Sequence, residues 1–420
     1  MSDTSTSFQS RNAAVIGAGV VGICTALYLQ RDGWHVTLID PHPPGETGAS
    51  FGNAGLIATH IVQPLAMHSI LPKIPKMLLD ETAPLAIRWR YLPTVTPWLI
   101  RLLRATRPTE VQRIAAALAS ELRHAQAAFG PLLDDAAGTL FHRNGVLVVY
   151  PDEACLAENE PVFALQRQNG VTFTTLGHNE VHNLVPDLSS HYRFGVHYTE
   201  AGHVSDPFAF VQALMAQFER GGGRLRTAYA TGFVHSGDQV TAVQTSSGNE
   251  PADLIVLAAG IWSKQLAAQL GLRIPLESER GYHVMLPQPA ISVDMAMMIG
   301  DIRFAVTPMR GGLRLAGTTE FAGLHAPPNP KRHDALVRNA RRVFPELKSD
   351  EQTRWMGHRP SLPDSLPVVA RSPAQRNVLL NFGHGHLGLT SSAVTGRAIA
   401  DLAAGRQPLF SLAPFRADRF

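Results

Sequence analysis

Three glycines and an acid open the chemistry of this chain. Residues 13–40 read as an apolar strand, then Gly17-x-Gly19-x-x-Gly22, a helix, a second strand and Asp40. Gly17 permits a tight turn off the strand, and Gly19 lets backbone approach a pyrophosphate. Gly22 lets the helix pack close to the sheet, with its N-terminus facing the phosphates. Asp40 stands where a carboxylate accepts hydrogen bonds from an adenosine ribose. An acid there, rather than an arginine, disfavours a 2′-phosphate, so FAD or NAD fits better than NADP. A second candidate lies near the other end. Asn381–Gly388 (NFGHGHLG) follows an apolar strand and precedes a helix of small and apolar residues. In a flavoprotein, such a helix start stabilises the negative charge that a reduced pyrimidine ring develops. Arg359 lies between these stretches, and a guanidinium offers two parallel donors to a carboxylate. A structural ion pair to Asp364 or another acid is the competing account of that arginine.

The elements that must position these residues are legible in outline. Residues 65–128 carry apolar spacings of three and four and predict helices. Strands are expected within 138–151 and 192–207, and a helix over 207–220, ended by the triple glycine at 221–223. Several strands follow over 224–260, a second group over 280–319, and a helix over 333–344. The run 254–263 is a strand ending in Ala258-Ala259-Gly260, where small side chains admit a cofactor. At 420 residues, two domains are the natural expectation. The cofactor domain draws on residues 13–65, 205–270 and 355–420. The substrate domain draws on 66–204 and 271–354, and residues 1–12 read as a polar tail, not a signal peptide.

Bulk composition excludes several classes. A formal charge of +3 with scattered Lys and Arg gives no nucleic-acid footprint. The two cysteines, Cys24 and Cys155, supply neither a disulfide framework nor a metal site, which points to a reducing, cytoplasmic compartment. No histidine cluster has metal-ligand spacing, so no metal is expected. The region 65–105 carries Lys73, Lys76, Arg88, Arg90, Arg101 and Arg104 among apolar residues, with Arg107 just beyond. Two readings stand for it: helices with solvated arginines, or a patch that meets a membrane quinone peripherally on the inner face of a bacterial membrane.

The stretches VIGAGVVGICTALYL, ASFGNAGLI, LAAGIWS, RGYHVML, LRLAGTTEF, HRPSLPDSLPV and FGHGHLGLT come in one order from about residue 13 to 405. Together they resemble the D-amino-acid oxidase and glycine oxidase superfamily, most nearly its bacterial D-amino acid and D-hydroxyproline dehydrogenases. The resemblance implies an α/β fold, with a Rossmann-like FAD domain and an α+β substrate domain on a mostly antiparallel sheet. It implies non-covalent FAD, since neither cysteine lies in a flavin-facing motif. The cofactor contacts it implies are Gly17, Ala18, Gly19, Val20, Val21 and Gly22; Asp40 and Pro41; Ala49, Ser50, Asn53, Ala54, Gly55 and Leu56; Ala230; Ala258, Ala259, Gly260 and Trp262; Arg359; and Gly383, His384, Gly385, His386, Leu387, Gly388 and Leu389.

The same resemblance makes Arg359 the clamp for a substrate carboxylate. The tyrosine that assists it in related oxidases falls here near Phe304 and Ala305, so Tyr282 is the substitute candidate; a hydroxyl that only caps the sheet edge is the alternative. Arg314 aligns with a basic position over the flavin, against a solvent-facing strand arginine. His384 and His386 flank the flavin site as acid–base candidates or as a polar wall. His358, beside Arg359, is placed to meet a hydroxyl on a ring substrate such as cis-4-hydroxy-D-proline. The implied reaction is hydride transfer from Cα–H of a D-amino acid to the flavin, giving an imine, with electrons passed to a quinone or another acceptor. The competing functions are a glycine- or sarcosine-type oxidase using O2, and a flavin-binding subunit without a substrate of its own. The oligomeric state is not legible.

Overall fold

Parallel strands buried on both faces read as unbroken apolar runs, and the first strand obeys that rule. Asn12–Ile16 lies between His35–Asp40 and Leu254–Leu257 in a six-stranded sheet. Arg224–Thr227 extends one edge, and Val378–Phe382 followed by Val368–Arg371 extends the other. All neighbours run parallel except that last pair. The molecule is described by a computed structural model, over residues 11–67 and 85–420. The sheet is assembled from three distant pieces of chain, and the helices Val20–Arg31 and Gly388–Ala403 pack side by side on it. A three-stranded meander, Ala230–Thr245 with Gly248–Pro251, lies beyond.

A larger, mostly antiparallel sheet makes the second layer. Its order runs from Thr353–Ser361 through Glu277–Leu286, Gly312–Phe321, Phe304–Met309 and Ala296–Ile299 to Val146–Tyr150, Phe194–Tyr198 and Thr174–Leu176. The helix Pro330–Val343 covers one face and shares an apolar core with it around Val284, Leu315, Leu336 and Phe344. Asn329 opens this helix by accepting the Lys331 N–H at 3.1 Å, with proline at its first position.

The helical expectation for 65–128 is met at Leu92–Ala105, Pro108–Leu122 and Ala125–Phe129. It fails at Leu85–Ile87, a short strand paired parallel to Thr319–Phe321. Lys73 and Lys76 lie outside the described residues, as do residues 1–10 of the expected tail. Ile114, Leu118, Leu122 and Phe129 share one apolar core with Val15, Leu38 and Val256. The helices Pro108–Leu122 and Ala125–Phe129 therefore pack against Gly388–Ala403, in the core of the six-stranded sheet's layer, although they belong to the span expected for the substrate domain.

Candidate active site

A cavity of about 870 Å³ runs between the two sheets, at the upper end of the range for small-molecule sites. Its first wall is the glycine turn. Gly17 holds φ +107°, and a Cβ there would lie 2.5 Å from the Ala258 carbonyl oxygen. At Gly22 a Cβ would fall 1.9 Å from the Gly17 carbonyl oxygen, so that glycine packs helix on strand and does not line the cavity. Gly19, Val20 and Val21 do line it, at a helix start with no acidic residue in its first turn. The partial positive charge there is free to meet phosphates. Asp40 also lines the cavity; its carboxylate accepts the N–H groups of Ala18 at 2.8 Å and His42 at 3.0 Å. Ala18 is thus bound through Asp40 and stands off the cavity. Ser50 accepts the Val20 N–H at 3.1 Å, tying the loop over residues 47–56 to the helix start.

Pro41, Ala49, Ser50, Asn53, Ala54, Leu56, Ala230, Ala258, Ala259, Gly260 and Trp262 all line the cavity. So do Gly383, His384, Gly385, His386, Gly388 and Leu389 from the C-terminal turn. Gly55 and Leu387 do not. The Gly55 carbonyl accepts the Val204 N–H at 2.7 Å, and Leu387 is buried in the core. Periodicity gave no hint of other lining residues, among them Thr47, Tyr229, Gln265, Met298 and Trp355. They come from loops and strand faces whose approach depends on how the sheets pack. A long trough with a glycine phosphate turn at one stretch and a second bare helix start at another fits FAD.

Arg359 also lines this cavity, and its setting is unusual. Its Nη1 donates to Glu279 Oε1 at 3.1 Å and to the Thr318 carbonyl at 3.4 Å. Asp364 is instead taken by Arg419, at 2.7 and 3.2 Å. So the arginine has an acid partner, but not the one its sequence neighbourhood suggested. Among the described residues no protein acceptor meets its Nε or Nη2, so that edge of the fork stays available. Its side chain lies across Gly281, where a Cβ would be 2.4 Å from Cζ.

Strand register sets two of the expected site residues, Tyr282 and His358, on the other face of the sheet from Arg359. Arg359 pairs with Glu279, and His358 with Arg280. Successive residues alternate faces, so His358, Arg280 and Tyr282 share the face away from Arg359. Tyr282 donates its hydroxyl to Glu320 and accepts the Asn329 N–H at 3.2 Å, while its ring meets His333. Tyr282 and His358 both border the cavity, yet the Tyr282 hydroxyl is already engaged by Glu320 and Asn329 and so braces the sheet in this structure. His358 Nδ1 meets the Ser278 hydroxyl at 2.7 Å, and burial with Arg280 nearby lowers its pKa to about 4. Arg314 does not line the cavity. It donates to the Asn53 carbonyl at 2.5 Å, and burial lowers its pKa to about 10. Its task is to hold the loop.

The histidines of the turn are neutral near pH 7. Burial drives His384 to about 3, and its Nε2 lies 3.2 Å from the Thr395 hydroxyl. A base so weak cannot take a proton from a substrate ammonium at neutral pH. Burial also lowers His386, and Arg359 adds to that while Glu279 opposes it. Glu279 is itself almost fully buried. Burial would raise its pKa, but Arg359, His386 and the hydroxyls of Ser361 and Thr319 together hold it below the usual value. Trp355 stacks on His283 at 5.1 Å, and its indole lies over Gly52 and Gly357. It shares Arg359's strand face, two alternations away. Phe304, Ala305 and Met298 add apolar wall. Among the described residues no His, Cys, Asp and Glu group could hold a metal, and no helix is long and apolar enough to cross a membrane.

The DAO family of FAD dependent oxidoreductases matches residues 12–402. The chain belongs to this family. A D-amino-acid oxidase of Bradyrhizobium diazoefficiens is 42% identical, covering 98% of this chain and 99% of the relative. A D-amino acid dehydrogenase of Paramagnetospirillum magneticum is 34% identical, covering 97% and 98%. Glycine oxidase from Bacillus cereus superposes with a TM-score of 0.71 at 20% identity, over 95% of this chain and 98% of that one. L-proline dehydrogenase from P. horikoshii does so with 0.73 at 17% identity, over 98% of each. The fold is that of the family: a Rossmann-like FAD layer against a mostly antiparallel sheet.

Proposed function

We propose that this flavoenzyme oxidises D-amino acids, binding the substrate carboxylate on the open Nε–Nη2 edge of Arg359. That open edge, inside the trough that fits FAD, carries the reading. It also separates an enzyme from a flavin-binding subunit, which has no use for a cation there. FAD, held without a covalent link, supplies the two-electron acceptor. Both cysteines stand off the cavity: Cys24 is buried with its thiol 3.5 Å from the Ser392 hydroxyl, and Cys155 does not line it.

The chain's own residues then orient and desolvate. Arg359 fixes one end of the substrate. The apolar wall of Phe304, Ala305, Met298 and Trp355 excludes water and accepts an apolar side chain or ring, so D-proline suits it. A 4-hydroxyl gains no support, because His358 is turned to Ser278. With His384 and His386 neutral, the amine sheds its proton to solvent before oxidation, and the imine product takes up water.

Electrons pass to a quinone in our reading. Trp89, Ile100 and Leu103 are exposed beside Arg90, Arg101 and Arg104, a composition suited to a membrane surface. The oxidase name of the relative at 42% identity favours O2 as a second reading. One experiment separates them. An anaerobic panel of D- and L-amino acids is scored by flavin bleaching, and the bleached enzyme is then mixed with O2 or a soluble quinone. D-Proline should bleach and L-proline should not, and the quinone should restore colour faster. Bleaching by no amino acid sinks the proposal, and rapid peroxide formation in air moves the acceptor to O2.

A further inference from the structure

We infer that Glu279 and Gly281 act together as positioning residues that set the rotation of the Arg359 guanidinium and so present its open edge to the substrate. The inference rests on the carboxylate-binding reading of Arg359. An arginine side chain has several rotatable bonds, and a bidentate grip needs its planar fork in one orientation. Two features fix that plane. Glu279 holds Nη1 at 3.1 Å, with the Thr318 carbonyl on the same nitrogen at 3.4 Å. Gly281 leaves the space in which Cζ, Nη2 and Nε lie, since a Cβ there would stand 2.4, 2.4 and 2.8 Å from them.

Glu279 is suited to hold rather than to react. Its Oε1 also accepts from the Thr319 hydroxyl at 2.9 Å, and its Oε2 from the Ser361 hydroxyl at 2.7 Å. With both oxygens engaged and 2% of its surface exposed, it offers nothing to substrate. The carbonyl of Thr318 is aimed by a bulge. Gly281 pairs with Thr319 and Tyr282 with Gly317, leaving Thr318 unpaired at φ +53°. A β-branched residue in that conformation is strained, and such strain gathers at functional sites. Cross-strand pairing thus brings three residues from two neighbouring strands to bear on one nitrogen and one plane.

The test measures carboxylate binding by calorimetry on the FAD-loaded enzyme, using cyclopentanecarboxylate, which lacks an oxidisable amine, and its neutral carboxamide. Glu279→Ala should weaken the carboxylate on the order of tenfold, raise KM for D-proline similarly, and change kcat by less than about threefold. Carboxamide affinity should not move. Glu279→Gln, whose amide oxygen still accepts from Nη1, should restore most of the affinity. Gly281→Ala leaves Glu279's bonds intact, yet should cost carboxylate affinity by displacing the guanidinium. Parent-like carboxylate binding in both Glu279→Ala and Gly281→Ala overturns the inference, as does a fall in kcat with unchanged KM. Should Glu279→Ala not retain FAD, Gly281→Ala decides it alone, parent-like carboxylate binding again overturning the inference. Arg359→Ala separates the two levels. If it too binds carboxylate normally, the functional reading fails; if it alone is impaired, only the positioning fails.

Discussion

Replacing Glu121 by glutamine should stabilise this protein, increasingly so as pH rises. Glu121 sits on the helix Pro108–Leu122, against the helix Gly388–Ala403, with none of its surface exposed. Neither carboxyl oxygen has a hydrogen-bond partner among the described residues. Burial raises its pKa from 4.5 to about 7, with Ser391 pulling slightly the other way. An acid whose folded-state pKa lies above its unfolded one binds more protons folded than unfolded between those values. Its contribution to stability is greatest below pH 4.5. It declines as pH climbs to about 7 and is constant beyond. At about 1.36 kcal/mol per unit, the decline comes to roughly 3 kcal/mol, a large part of a typical domain's stability of about 5–15 kcal/mol. A glutamine cannot ionise, so the variant should match the parent near pH 4.5 and exceed it by roughly 3 kcal/mol above pH 7. Guanidinium unfolding of both FAD-loaded proteins across that range, followed by tryptophan fluorescence, gives the difference directly. Every other titrating group cancels in it. A flat difference refutes the reasoning, and a difference that shrinks with pH reverses its sign.

Three further outcomes follow from the site. Arg359→Ala should keep FAD and raise KM for D-amino acids on the order of 10–100-fold, the equivalent of about 1.5–3 kcal/mol for a charge-assisted contact; steady-state kinetics on the loaded enzyme check this. Asp40→Ala removes the acceptor of the Ala18 and His42 N–H groups and should raise the FAD dissociation constant by on the order of tenfold, read as flavin released on dilution. His384→Gln should leave the pH profile of kcat/KM unchanged between pH 6 and 9, because a group titrating at about 3 is neutral throughout. Loss of a limb from that profile would restore His384 to proton transfer.

The glycine turn, Asp40 and the C-terminal FGHGHLG turn could be read from the chain alone. Each is local: strand, turn and helix lie within about thirty residues, and the spacing of glycines dictates where backbone comes close. The helix Pro207–Arg220 was legible for the same reason, by apolar spacing and a glycine stop. The strand Leu85–Ile87 was not, because three residues of no marked period become a strand only by pairing with Thr319–Phe321.

The sequence by itself determined that small residues gather at two turns and that an arginine stands between them in the chain; both turns and the arginine line one cavity. Only the tertiary structure decided what that arginine faces. Its partner is Glu279, eighty positions upstream, and not Asp364 five positions on. Tyr282 and His358, one residue out of phase, still border the cavity, but their polar atoms are turned to Glu320, Asn329 and Ser278. The physical reason is parity. A strand's side chains alternate, so the register between strands distant in sequence chooses which residues meet, and a shift of one exchanges them all.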